Sequence, residues 1–222
     1  MLRNLLRLLL VPLPWFLKRP ALQFFFGYKL HPTAAIGLSW IFPKELVMGP
    51  HSSIGHGNVA IHLQKVQLGA YASIARGNWI TGYPVDDGKH FSHQSDRAPE
   101  LVLGEHTAIT KNHHFDCTHS IGIGAFTTVA GYGSQFLTHS IDVIECRQDS
   151  KPIVIGDYAF VGTDCTLLGG AALPSRSVLG AKSLLNKAWQ EEYQLYAGVP
   201  AKPVKSLPND AKYFHRTTGF VE

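Results

Sequence analysis

The chain is short of charge, of cysteine and of long apolar runs. Only 16% of its 222 residues are Asp, Glu, Lys or Arg while 45% are hydrophobic, so it can bury a sizeable core and wholesale disorder is excluded. Acid is missing from residues 1–44 altogether, where Arg3, Arg7, Lys18, Arg19, Lys29 and Lys44 stand unbalanced. The net charge of +4 therefore describes a basic N-terminal arm ahead of a slightly acidic body, which argues against nucleic-acid binding. Cys117, Cys146 and Cys165 form no CxxC pair and no disulfide framework, and a reducing compartment suits them. No GxGxxG opens a strand-helix unit and no Walker motif occurs, so no fused kinase or nucleotidyltransferase domain is expected.

The apolar run that ends at Pro12 is about half the roughly 20 residues needed to span a bilayer. Leu2, Leu5, Leu6, Leu9 and Leu10 recur at helical spacing with Arg3 and Arg7 off that face, and Trp15, Phe16, Phe24, Phe25 and Phe26 follow among cations. That composition suits a segment lying in a lipid interface and equally a helix docked on its own domain or on a partner. Pro12, Pro14, Lys18 and Arg19 stand where a secretory cleavage site would need small residues, so a cytoplasmic protein is expected, with peripheral membrane contact through residues 1–30 left open.

What the chain does contain is a beat of six. Ile155, Val161, Leu167, Leu173, Leu179 and Leu185 are six aliphatic residues in register, with Gly156, Gly162 and Gly180 directly after three of them. The same period runs through Ile36, Phe42, Met48, Ile54, Ala60 and Val66, then two residues out of phase through Leu68, Ile74 and Ile80. It resumes as Leu103, Ile109, Phe115 and Ile121, and slips again to Ile123 and Val129. A helix would repeat at 3.6 and a two-sided strand at 2, whereas six residues make one short strand and a tight corner. Three such units close a triangular coil, the aliphatic side chain pointing inward and the following glycine expected to supply the φ that a Cβ penalises. Stacked coils about 4.8 Å apart pair their backbones and bury their apolar faces only against neighbours, so the column needs caps. The expected division is an arm over residues 1–31, a solenoid over 32–187 with loops at 81–102 and 135–153, and a C-terminal cap and tail over 188–222.

The segments Ile155-Gly156-Asp157-Tyr158-Ala159-Phe160-Val161-Gly162, Leu179-Gly180-Ala181-Lys182-Ser183 and Ala197-Gly198-Val199-Pro200-Ala201-Lys202-Pro203 resemble the coil and terminal cap of the hexapeptide-repeat O-acetyltransferases. Nearest in character are those of exopolysaccharide and colanic-acid assembly and the maltose and galactoside enzymes. The resemblance spans roughly residues 30–206. It implies an all-β fold, a left-handed parallel β-helix with a helical arm and a short cap, whose handedness spacing alone does not give. It implies a homotrimer moving an acetyl group from acetyl-CoA to a saccharide hydroxyl in surface-polysaccharide biosynthesis.

Such a transfer needs a base near neutral pKa and donors for the oxyanion, and histidine is the natural base. Among twelve histidines His139 stands apart, because Leu137-Thr138-His139-Ser140 falls in the second break, where the resembling enzymes carry their catalytic Thr-His. Oxyanion donors are expected among the amides of residues 131–134 or at a coil corner. Asn112, His114 and Asp116 are the candidates for acceptor contact, against a reading of the same cluster as a polar rung. Thr163, Ala181, Asn186, Lys187, Lys202 and Lys205 match positions that hold the cofactor. The excursion after Gly82 carries Tyr83, His90, Phe91 and His93, which suit an acceptor lid or a subunit contact. Two rivals remain: a zinc hydratase resembling the γ-class carbonic anhydrases, since His114 and His119 have their spacing but the upstream histidine is replaced by Asn78, and a non-catalytic solenoid binder. No metal is expected on the first reading.

Overall fold

In the computed structural model, which describes residues 2–85 and 90–221, two helices precede a three-sided column of short strands. The strands cycle through three sheets of seven, nine and seven members, each sheet one face of the column. Face one begins at Lys29–Leu30 and ends at Ala172–Leu173, face two begins at Ala35–Ile36, and face three runs from Trp40–Ile41 to Leu184–Leu185. Rungs pair in parallel until the last strand, Ala201–Ser206, which turns back antiparallel on Gln194–Gly198.

The beat of six becomes a stacked core. On face one Met48, Leu68, Leu103, Ile123, Ile155 and Leu173 are successive register partners, all buried. The two-residue slips leave this register intact. Strands such as Glu45–Met48 and Lys65–Leu68 send two residues inward, Leu46 with Met48 and Val66 with Leu68, so a slip marks a wider rung.

The glycines act differently from expectation. Gly156 and Gly162 do not carry the positive φ; Tyr158 (55°) and Asp164 (56°), two residues later, do. What those glycines provide is room, since a Cβ on Gly156 would lie 2.3 Å from the Ser175 amide nitrogen and one on Gly162 2.7 Å from that of Ala181. Side chains carry the left-handed corners because stacking offsets the strain: the positive-φ residues His51, Tyr71, His106, Phe126 and Tyr158 form a ladder with ring centroids 4.7 to 4.8 Å apart.

Inside the corner between faces two and three runs a polar ladder. Asn58 Oδ1 accepts from the Asn78 amide at 2.9 Å, Asn78 Oδ1 from the His113 amide at 2.9 Å, and His113 Nδ1 from the Ser134 amide at 3.2 Å. Burial lowers the His113 pKa to about 4, so the ring stays neutral with Nε2 facing Thr110 Oγ1 at 3.0 Å.

The arm docks on its own column. Helix α1 (Leu2–Leu10) and helix α2 (Trp15–Phe26) bury Leu10 and Leu22 over the first rungs, and the Lys18 ammonium donates to the carbonyls of Gly37 at 2.8 Å and Val11 at 3.2 Å. The inward stripe is Leu6 and Leu10, while Leu5, Leu8, Leu9, Phe16, Phe24 and Phe25 face outward, exposed. The side chains of residues 1–3, among them Leu2 of the expected stripe and Arg3 off it, lie outside the described ones. No described helix is long and apolar enough to cross a membrane.

Both excursions leave the corner that joins face three to face one. The first follows Trp79–Thr81, and its residues 86–89 lie outside the described residues. The second is shorter than expected: Gln135–Leu137 is a regular rung paired with His114–Asp116, and only beyond it do His139–Asp142 and Arg147–Ser150 form an antiparallel hairpin.

Candidate active site

His139 opens that hairpin, held by the residue before it. Thr138 is buried; its hydroxyl donates to the Asp116 carbonyl at 2.7 Å and accepts from the His119 amide at 2.9 Å, pinning the chain to the corner below. The His139 Nδ1 then lies 4.0 Å from Asp116 Oδ2, with the imidazole 35% and the carboxylate 19% exposed. Asp116 cannot swing freely, because its Oδ1 accepts from the Thr118 amide at 3.0 Å and from the Thr118 hydroxyl at 2.6 Å. One carboxylate oxygen is thus used by the turn and the other faces the ring. In this geometry Nε2 faces the Gln148 side-chain oxygen Oε1 and donates to it; with the ring proton on Nδ1 instead, directed at Asp116, the lone pair falls on Nε2. The Phe91 ring stands against the imidazole at 5.5 Å, interplanar angle 66°.

The first excursion is tied to the hairpin. Gln94 Nε2 donates to Asp149 Oδ1 and to the Ser150 carbonyl, both at 2.9 Å, and its Oε1 accepts from Ser150 Oγ at 2.8 Å. Arg97 is buried, donates to the carbonyls of Tyr83, Pro84 and Thr118, and lies 4.4 Å from the Phe91 ring centroid. Arg97, from the same excursion, thus packs on the Phe91 ring that stands beside the His139 imidazole. A cavity of about 330 Å³ opens at His139, lined also by Leu137, Asp149, Lys151, Gly169 and Asn186.

Asp116 and Asn186 are therefore brought to His139; the other candidates are not. Asn112 and His114 stand at the opposite end of the same rung, at the corner between faces two and three, where Asn112 takes a φ of 55°. Thr163 and Ala181 share that distant corner, and the Thr163 hydroxyl donates to the Tyr132 carbonyl at 3.0 Å. Lys187 turns onto Trp189, its ammonium 4.1 Å from the ring centroid. Lys202 and Lys205 are exposed on the antiparallel strand, opposite Ala197 and Leu195. The expected oxyanion donors near residue 131 are occupied: the amides of Tyr132, Gly133 and Ser134 donate to Thr163 Oγ1, the Asn112 carbonyl and His113 Nδ1.

Gln148, Phe91, Asp149 and Lys151 were not singled out for catalysis. The hairpin that carries Gln148 and Asp149 turns at Cys146 with φ 49°, where Gly or Asn would have announced a turn. Cys117 follows Asp116 but is no nucleophile, since burial and the adjacent carboxylate push its thiol pKa well up. Among the described residues no three His, Cys, Asp or Glu side chains are grouped to hold a metal ion, and His119 Nδ1 accepts from the Ser120 amide at 2.7 Å.

No family model and no curated protein matches the chain. Solved structures do. A hexapeptide-repeat acetyltransferase from Vibrio cholerae, VCA0836, superposes with a TM-score of 0.50 at 20% identity over 93% of this chain and 89% of that one. The fold is that of the hexapeptide-repeat acetyltransferases, the left-handed parallel β-helix. The polysialic acid O-acetyltransferase OatWY gives a TM-score of 0.51 at 20% identity, covering 81% of this chain and 84% of its own. An N-acyltransferase from Bacillus cereus, AntD, gives 0.52 at 10% identity over 91% and 96%. Members of this fold thus acylate both oxygen and nitrogen, and the acceptor must be argued from the site.

Proposed function

We propose that the protein transfers an acetyl group from acetyl-CoA to a saccharide hydroxyl, with His139 as general base. The observation that supports this most is the His139–Asp116 pair, partly open to solvent at a corner where two excursions converge. Neutral His139 takes the acceptor proton on Nε2 as the acceptor oxygen attacks the thioester carbonyl, and Asp116 stabilises the imidazolium that results. Collapse of the tetrahedral adduct breaks the carbon–sulfur bond, and the imidazolium returns its proton to the departing thiolate. No acyl-enzyme is needed, in keeping with the inert Cys117. The donor's thioester end sits in the cavity that holds Asn186 and Lys151. AntD was solved with coenzyme A, and OatWY acts on polysialic acid by name, which supports this choice of donor and acceptor class.

Thr163 and Ala181 occupy a different corner from His139, so a donor that touches both lies between two columns. This is the reason to read the protein as a homotrimer in which Lys202 and Lys205 meet the phosphates. The outward apolar face of the arm, ahead of the first acid at Glu45, would rest on an anionic inner leaflet where surface polysaccharide is assembled. The test is coenzyme A release from acetyl-CoA across a panel of free, nucleotide-linked and lipid-linked sugars. Acceptor-dependent release with a mass gain of one acetyl supports the reading, and release to amines alone overturns it.

A further inference from the structure

A second cavity, of about 500 Å³, lies between the first excursion and the hairpin and is lined by His90, Phe91, His93, Ile141, Arg147 and Gln148, with Ser92 and Cys146 completing its wall. It meets the catalytic imidazole through two of these residues: the Gln148 amide on Nε2 and the Phe91 ring beside it. The smaller cavity reaches the same imidazole from the side of Asn186. The imidazole lines the smaller chamber and is screened from the larger one by Gln148 and Phe91.

The composition of the larger chamber is one-sided. Among the described residues none that lines it is an acid, while Arg147 and two histidines stand around it. Arg147 is 48% exposed and forms a loose ion pair across the hairpin with Asp142, whose Oδ2 is 3.9 Å from its Nε, beyond hydrogen-bond length. Asp149, the next acid along, bonds to Gln94 instead. A planar guanidinium with donors to spare, on a largely apolar chamber whose described lining holds no carboxylate, matches an oxyanion rather than a neutral hydroxyl.

We infer that this chamber is the acceptor subsite, that it takes an anionic saccharide with its carboxylate or phosphate on Arg147, and that the Gln148 amide holds the seat of the hydroxyl to be acetylated. The inference rests on the proposed transfer and adds to it a substrate charge and a direction of entry. On binding, the acceptor hydroxyl replaces Gln148 at Nε2 while the thioester stays on the opposite side of the ring, so both substrates reach the base at once.

The test compares glucuronic acid, glucose 1-phosphate and glucose as acceptors for the full-length protein, with coenzyme A release as readout. For wild type, KM should be at least tenfold lower for one of the two anionic sugars than for glucose, the arms telling carboxylate from phosphate. Arg147→Gln should raise that KM about tenfold and leave the glucose KM within twofold. Equal KM values for all three sugars, or an Arg147→Gln effect that is the same for glucose, overturns the subsite. Coenzyme A release by wild type that no acceptor raises above background would instead overturn the transfer reading, so the two failures are distinguishable. Gln148→Ala serves as a second variant: it should raise hydrolysis at least twofold by opening the seat to water, and a lowered rate contradicts the placeholder role.

Discussion

Acid should weaken this fold through one residue. His113 is 2% exposed, its Nδ1 must accept from the Ser134 amide, and a proton there would set two donors against each other inside the column. The folded chain holds the ring neutral down to about 4, whereas an unfolded chain takes the proton near 6.5. Between those values the unfolded state binds more protons, so stability is complete above pH 6.5 and falls as pH drops towards 4. At about 1.4 kcal/mol per pH unit the full loss is about 3 kcal/mol, most of it present by pH 4.5. The perturbation that isolates it is His113→Asn, because an Asn Oδ1 can accept from Ser134 as Asn58 and Asn78 accept from their own successors. Urea unfolding of both proteins at pH 7.5 and 4.5, at one protein concentration, gives the comparison. The wild type should lose about 2 kcal/mol more than the variant between the two pH values. His119, whose pKa burial also lowers, will leave some acid sensitivity in both. Identical losses in wild type and variant would refute the argument.

Three further outcomes follow from the same geometry. Gly156→Ala places a Cβ 2.3 Å from a backbone nitrogen of the next coil and should cost about 1–3 kcal/mol, whereas Gly122→Ala meets nothing within 4 Å and should change stability by under about 0.5 kcal/mol; thermal melting of both separates close approach from generic glycine effects. Asp116→Asn keeps an acceptor for Thr118 but removes the charge that faces the imidazole, so kcat should fall about tenfold or more with KM little changed in steady-state assays. If the arm docks on lipid, Phe16→Ser with Phe24→Ser should release the full chain from anionic vesicles in a sedimentation assay without altering its melting temperature, since both rings are over 70% exposed.

The column was legible because its physics is periodic. Every aliphatic residue of the series from Ile36 to Leu185 is buried, and the corner that carries His139 was located from the interruption of that beat. What was not legible came from contacts the period does not encode. Gln94 reaches Asp149 across 55 residues, which no local pattern announces. Asn112 and Asp116 are four residues apart in sequence, yet a rung between two corners sends them to opposite edges of one face. The glycines were assigned the wrong task for a similar reason: spacing shows that a small residue is needed, but only the stack shows whether φ or the next coil requires it. The docked arm balances two patterns at once, and its leucines served both, Leu10 inward and Leu9 outward.

The account's central claim is that the imidazole at the hairpin's first position carries the proton in acetyl transfer. The direct measurement is the initial rate of coenzyme A release from acetyl-CoA, with a competent acceptor, for wild type and His139→Asn of equal circular dichroism and assembly state. The account predicts a fall of about 100-fold or more in kcat for the variant. A rate within threefold of wild type would contradict it.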